Sequence, residues 1–331
     1  MSTRQVLNTN TVLARFHQGE RNFSDIKLRQ GNFTGQSLNQ IDLSSADLKQ
    51  INLSRTKLIQ ANLTRATLRQ VDLSRALLID ATLSQSTLEG VCLQEANLSG
   101  AILGRAIARN VNLARACLQG SSAIEVQFLE GTTLTVANLM GATLTGSLLA
   151  KIDLGGANLT KAILTRTNLS EANLKAASLI RAYLKNVNLR GANLQNADLS
   201  FANLKSADLT GANLKGANLE GANLTQANLT SANLRNACLQ GVELANANLQ
   251  QVNLTRANLS SANLLGCNLS FANLTEANLF QTGLLLTHLK GTKFNQANLT
   301  QANLIGATFA LTDFSNAFLD TAIFPNGIIE E

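Results

Sequence analysis

The chain has 331 residues, 45% of them hydrophobic but only 4% aromatic, with no tryptophan. Leu and Ala therefore supply the apolar mass, which argues against one irregular core and for many small uniform units. The formal charge is +6, and the four cysteines (Cys92, Cys117, Cys238, Cys267) form no CxxC pair and have no histidine nearby, which excludes a disulfide framework or a metal finger.

At the start of the chain, Met1 to Asn10 is polar and lacks a charged leader followed by an apolar run, so no secretory signal is read there. No stretch reaches the apolar length needed to span a bilayer, so no membrane association is expected and the cytoplasm is the expected compartment. Residues 1–20 read as a cap. Val12, Leu13 and Phe16 fall at i, i+1 and i+4, which predicts a short amphipathic helix from Thr11 to Gly19. Asn10 or Thr11 is expected to cap it and Gly19 to end it.

From Glu20-Arg21-Asn22-Phe23 onward, Leu or Phe recurs every fifth residue. One register runs from Phe23 to Phe128 and a second from Leu134 to Phe324, about 22 and about 39 units. A small residue, usually Ala, stands two positions before each central Leu, with Asn or Asp between them (Ala212-Asn213-Leu214). On an α-helix five residues advance about 500°, which leaves successive leucines about 140° apart with no constant apolar face. On a flat strand an odd period sends successive leucines to opposite faces. A chain that turns by about 90° every five residues keeps each Leu on one axis, and four such sides bring the leucines together without leaving a hole.

The run Gly211-Ala212-Asn213-Leu214-Lys215-Gly216-Ala217-Asn218-Leu219-Glu220 resembles the pentapeptide repeat family, and the resemblance covers residues 21–324. It implies an all-β right-handed quadrilateral β-helix, here of about 15 coils, about 70 Å long at the usual strand spacing, with the N-terminal helix as a cap. The helix leading into Glu20-Arg21-Asn22-Phe23 resembles the cyanobacterial, HetL-like type of the family. That resemblance implies partner binding, as in regulation of cell differentiation, and no catalysis. At the far end, Phe309, Phe314, Phe318 and Phe324 are expected to widen the last coils. Residues 325–331 read as a tail, in which Pro325-Asn326-Gly327 turns the chain and Ile328 and Ile329 plug the edge before Glu330 and Glu331.

Two features break the uniformity. Central positions shrink to Ala108 and Ala123, and one extra residue enters within Leu129-Glu130-Gly131-Thr132-Thr133, to be absorbed at a corner or as a bulge. This segment reads either as a recognition knob or as a tolerated insertion. With a twenty-residue coil as ruler, Arg29, Lys49, Arg69, Glu89 and Arg109 share one column, and Arg55, Arg75, Glu95 and Arg115 another on the adjoining face. Residues 1–120 carry 14 Lys and Arg against 8 Asp and Glu, whereas the remainder carries 13 of each. Stacked like charges repel unless Glu89, Glu95 or outside anions compensate them, so the columns read either as a docking stripe for an acidic partner or as a solvated ladder.

His17 and His288 lie far apart, and Asp42, Asp47, Asp72, Asp198 and Asp208 alternate with Asn as lattice positions. No catalytic, cofactor-binding or metal-binding residues are therefore assigned, and no enzyme activity is expected. The expected partner is a protein. The alternative is a structural rod that binds polyanions nonspecifically through the basic third, and nucleic acid is expected only in that way, since no aromatics interleave the charges. A DNA-mimic topoisomerase-protecting role, as in another branch of the family, requires an acidic surface and is disfavoured by the pI of about 9.4. A monomer or a weak end-to-end dimer is expected.

Overall fold

The computed structural model describes residues 5–325. They fall in two compact units, Met1–Ile163 and Leu164–Glu331.

The first unit opens with β1 (Val6–Leu7) and α1 (Thr9–His17). The helix starts two residues earlier than Thr11, because Asn8 is its cap and its side chain accepts a hydrogen bond from Thr11 N at 2.8 Å. Val12 and Phe16 are its buried residues, and Gly19, at φ +98°, follows the last turn. Val6 and Leu7 pair in parallel with Lys27 and Leu28, a strand that carries no pentad signature in the sequence.

Strands β2 (Lys27–Arg29), β3 (Asp47–Lys49), β4 (Thr67–Arg69), β5 (Thr87–Glu89), β6 (Ile107–Arg109) and β7 (Gln127–Phe128) then stack in chain order, all parallel, twenty residues apart. This ladder of strands has six steps, fewer than the about 15 coils expected from the repeat count. Among the described residues, strands of two or more residues form on one side of the first unit only. The other sides, and the described residues of the second unit, pair through single bridges such as Asn213↔Asn233.

A pentad forms each side. Its central Leu or Phe and the small residue before it point inward, and every central residue from Phe23 to Leu304 is buried. The two residues after the central Leu form the corner. At Leu53, for example, the N–H of Thr56 donates to the Leu53 carbonyl at 3.2 Å, and Arg55 takes φ +58°. That is the left-handed conformation the third residue of such a turn needs. The Asn before the central Leu is half-exposed, and its carboxamide oxygen accepts the N–H two residues on, as from Ser54 N to Asn52 Oδ1 at 2.9 Å.

At the end of the second unit, Phe294 stacks on Phe314 at 5.1 Å, and Phe309 and Phe324 complete the aromatic cluster. Phe318 does not join them. It occupies the outward position before Leu319 and is 61% exposed, because the pentad phase and not its size sets its direction. The turn and plug assigned to residues 326–331 lie outside the described residues.

Candidate interaction surface

The side of the first unit that carries β2 to β7 differs from the others at its corners. The pairs Leu28/Gly31, Leu48/Ile51 and Leu68/Val71 form no turn hydrogen bond of the Thr56-to-Leu53 kind, so the backbone stays extended through the residue after Leu. The outward side chains of those residues form the column Arg29, Lys49, Arg69, Glu89 and Arg109.

The column is partly neutralised from within. Arg29 Nη2 reaches Asp47 Oδ2 at 2.5 Å and Arg29 Nη1 donates to the Asp47 carbonyl at 2.8 Å. Arg69 Nη1 reaches the other oxygen of Asp47 at 3.3 Å and its Nε lies 3.7 Å from Glu89. Asp47, nearly buried at 8% exposure, thus clamps the arginines one coil before and one coil after it. Among the described residues, Lys49 and Arg109 enter no ion pair. Lys49 lines a shallow depression of about 330 Å³ together with Arg69, Gln70, Glu89, Gly90 and Asn110, the residue after Arg109. Gly90, at φ +62°, leaves the notch: a Cβ there would meet only Gln70 Cγ, at 3.7 Å.

The irregular segment is absorbed at a corner of this same side. Pairing changes from twenty residues (Ala108↔Phe128) to twenty-one (Asn112↔Thr133) and returns to twenty at Thr133↔Asp153. The Asn110 N–H donates to the Glu130 carbonyl at 3.0 Å, as the Gly90 N–H does to Arg109, so Glu130 continues the charged column. Leu129 is half-buried and turns the chain through Glu130 and Gly131, with Thr132 N donating back to the Leu129 carbonyl at 3.1 Å. Thr132 then faces inward, and its hydroxyl donates to the carbonyl of the undersized Ala108 at 3.2 Å. One coil further on, Ile152 N donates to the Leu149 carbonyl at 3.4 Å, so the insertion marks where this side exchanges extended strands for closed turns.

Arg55, Arg75, Glu95 and Arg115 stay apart from this surface. They occupy left-handed corner positions at the far edge of the adjoining side, where Arg75 pairs with Glu95 at 2.9 Å. Asp47 is the residue of this candidate surface that sequence reasoning missed, having been grouped with the lattice aspartates. The twenty-residue ruler applied one position before the central Leu would have placed it between Arg29 and Arg69. Among the described residues, no three His, Cys, Asp or Glu converge as a metal site would require.

The stacked, inward-facing pentads define a parallel β-solenoid. The chain belongs to the pentapeptide repeat family, whose profile, described as pentapeptide repeats, matches eight segments at residues 22–60, 56–94, 92–125, 137–175, 172–211, 207–244, 243–279 and 287–324. No curated protein sequence matches it significantly. Among solved structures, a trypsin-treated QnrB1, a plasmid-mediated fluoroquinolone resistance protein, is similar at 18% identity and a TM-score of 0.43, over 56% of this chain and 91% of that one. HetL, a pentapeptide repeat protein involved in heterocyst differentiation regulation in the cyanobacterium Nostoc, is similar at 27% identity and a TM-score of 0.22, over 98% of this chain and all of that one. Rfr23 from the cyanobacterium Cyanothece is similar at 36% identity and a TM-score of 0.17, over 30% of this chain and 63% of that one.

Proposed function

We propose that the chain is a non-catalytic binding protein that offers the strand-bearing side of its first unit to an acidic surface of a partner protein. One observation carries this reading. A column of cations follows the extended strands, and two of them, Lys49 and Arg109, form no ion pair among the described residues, with Lys49 lining a notch open to solvent. Carboxylates of a partner would supply the compensation that Asp47 and Glu89 provide only for Arg29 and Arg69. Residues 129–131 close the same side and belong to the surface. The narrower form, a regulator of the kind that governs cyanobacterial cell differentiation, is supported by the N-terminal helix that runs into Glu20-Arg21-Asn22-Phe23. A monomer or weak end-to-end dimer in the cytoplasm, where four free thiols stay reduced, fits this role. No described helix is long and apolar enough to cross a membrane.

The test compares the intact chain with the triple variant Arg29→Glu, Arg69→Glu, Arg109→Glu, with polyglutamate as the probe at low salt. Reversal should weaken binding by at least about tenfold, and equal affinity would remove the column from the function. Unrelated DNA duplexes that bind more tightly than polyglutamate, with a steep salt dependence, would replace the protein partner with nucleic acid.

A further inference from the structure

One side of the second unit carries an apolar stripe that the family lattice does not require. Just after the central leucines of this side, Lys185 and Lys205 stand on consecutive coils, and Leu265, Leu285 and Ile305 stand on consecutive coils further along. Leu265, Ile305 and the corner residue Leu286 are 37%, 43% and 58% exposed. Gly283 lies between Asn263 and Asn303 in the neighbouring outward column, which is otherwise mostly Asn. Its φ is not left-handed, and a Cβ there would meet only the Ala262 carbonyl at 3.8 Å and Asn263 Oδ1 at 4.0 Å. Neither backbone conformation nor packing asks for glycine at 283, and its effect is to leave the flank of Leu285 clear.

We propose that this stripe seats an amphipathic α-helix of a partner protein, lying along the stacking direction with its acidic first turn over Lys185 and Lys205. The spacings match. Coils repeat every ~4.8 Å and helix turns every ~5.4 Å, so apolar residues at i, i+4 and i+7 span about the two steps from Leu265 to Ile305. Six steps separate Ile305 from Lys185, about 29 Å, the length of a helix of about 20 residues. Neither lysine enters an ion pair among the described residues. Carboxylates in the first turn of a helix are stabilised by the helix's own dipole, and it is they that meet these cations favourably. A second copy of this chain does not fit the role. Its only described helix, α1, buries Val12 and Phe16 in its own unit and has no acid in its first turn.

The probe is a labelled synthetic helix of about 20 residues, with glutamates in its first turn and leucines at i, i+4 and i+7, titrated against the full chain by fluorescence anisotropy. Binding should saturate, and it should weaken by about tenfold in Leu285→Asp and in Gly283→Asn, each of which covers or charges the space for one buried leucine. Gly283→Asn installs the residue most common in that column, so its thermal melt should match that of the unaltered chain. Replacing the peptide glutamates by lysines should also weaken binding. The triple reversal of Arg29, Arg69 and Arg109 should leave it unchanged, which separates this site from the surface of the first unit. Absence of binding, or binding indifferent to both Leu285→Asp and Gly283→Asn, overturns the proposal. Self-association that Leu285→Asp abolishes would overturn it too, since a second copy would then cover the stripe.

Discussion

Each position in the pentad has its own physical reason. The Asn before the central Leu accepts the N–H two residues on, and its amide group often donates to the same residue one coil earlier, as from Asn213 to Asn193 at 3.4 Å and from Asn233 to Asn213 at 3.2 Å. Asp can only begin such a ladder, accepting as Asp198 does from Asn218 at 3.3 Å, because a carboxylate has no proton to pass on. Corner residues adopt left-handed φ whether or not they are glycine, and the turn and ladder hydrogen bonds offset that strain. Burial pushes the Cys267 thiol up to about 12, so this cysteine acts as a small core residue. Gly131 is different from the replaceable Gly283. It has φ +76°, and a Cβ there would collide with the Asn110 carboxamide oxygen and lie 3.3 Å from the Asn110 Cα. Gly131→Ala should therefore cost about 1–2 kcal/mol, read as a lower midpoint in chemical denaturation. A stability equal to that of the unaltered chain would show that the corner at residues 129–133 relaxes freely.

At the level of the strand ladder, Asp47 decides whether the basic column is tolerable. Asp47→Asn removes the charge shared by Arg29 and Arg69 while keeping a hydrogen-bonding group. The expected loss is about 0.5–1 kcal/mol at low salt, shrinking as NaCl screens the exposed guanidinium groups. Thermal melts of both chains across a salt series check this, and a salt-independent difference would mean that Asp47 acts through packing alone. The last pentads supply the pH-dependent element. Hydrogen bonds from Ser315 Oγ at 2.5 Å, Ser315 N at 2.9 Å and Asn295 Nδ2 at 2.7 Å hold the Asp313 carboxyl down at about 2. A carboxylate lowered in the folded state contributes stability above its ordinary value of about 4 and loses it as pH falls toward the folded value. The protection of the Ser315 amide, its exchange rate relative to an unstructured peptide at the same pH, should therefore hold from neutrality to about pH 4 and fall between about pH 4 and pH 2. Asp313→Asn should flatten that limb, and an unchanged limb would exclude Asp313 as its cause.

At the scale of the whole chain, the charge is lopsided: the formal excess of +6 resides in residues 1–120, and the remainder is balanced. A basic excess cannot imitate the phosphate field of DNA, so supercoiling by a type II topoisomerase should be unaffected by the protein at micromolar concentration, with or without a quinolone. Protection of the enzyme in that assay would reverse this expectation. The two compact units also differ in their lattice. The first has one side of extended strands and carries the basic column, whereas the second closes its described corners with turns, except after Phe309, and carries the lysine and leucine stripe.

The period of five, the inward Leu and Ala, the one-residue insertion and the twenty-residue columns were all legible in the amino-acid order. Each follows from local geometry repeated without change: a fixed turn per pentad puts residues twenty apart on neighbouring rungs. Three things were decided only by the folded chain. Strand β1 joins the sheet because the edge of β2 offers unpaired hydrogen-bonding groups, which no pentad pattern announces. Asp47 clamps two arginines because side chains on adjacent coils choose partners by reach, and a column of letters carries no distances. Glu130 stands in line with Arg109 because the extra residue was absorbed at the one kind of corner that was still open, so the rungs kept their backbone pairing through the change of register.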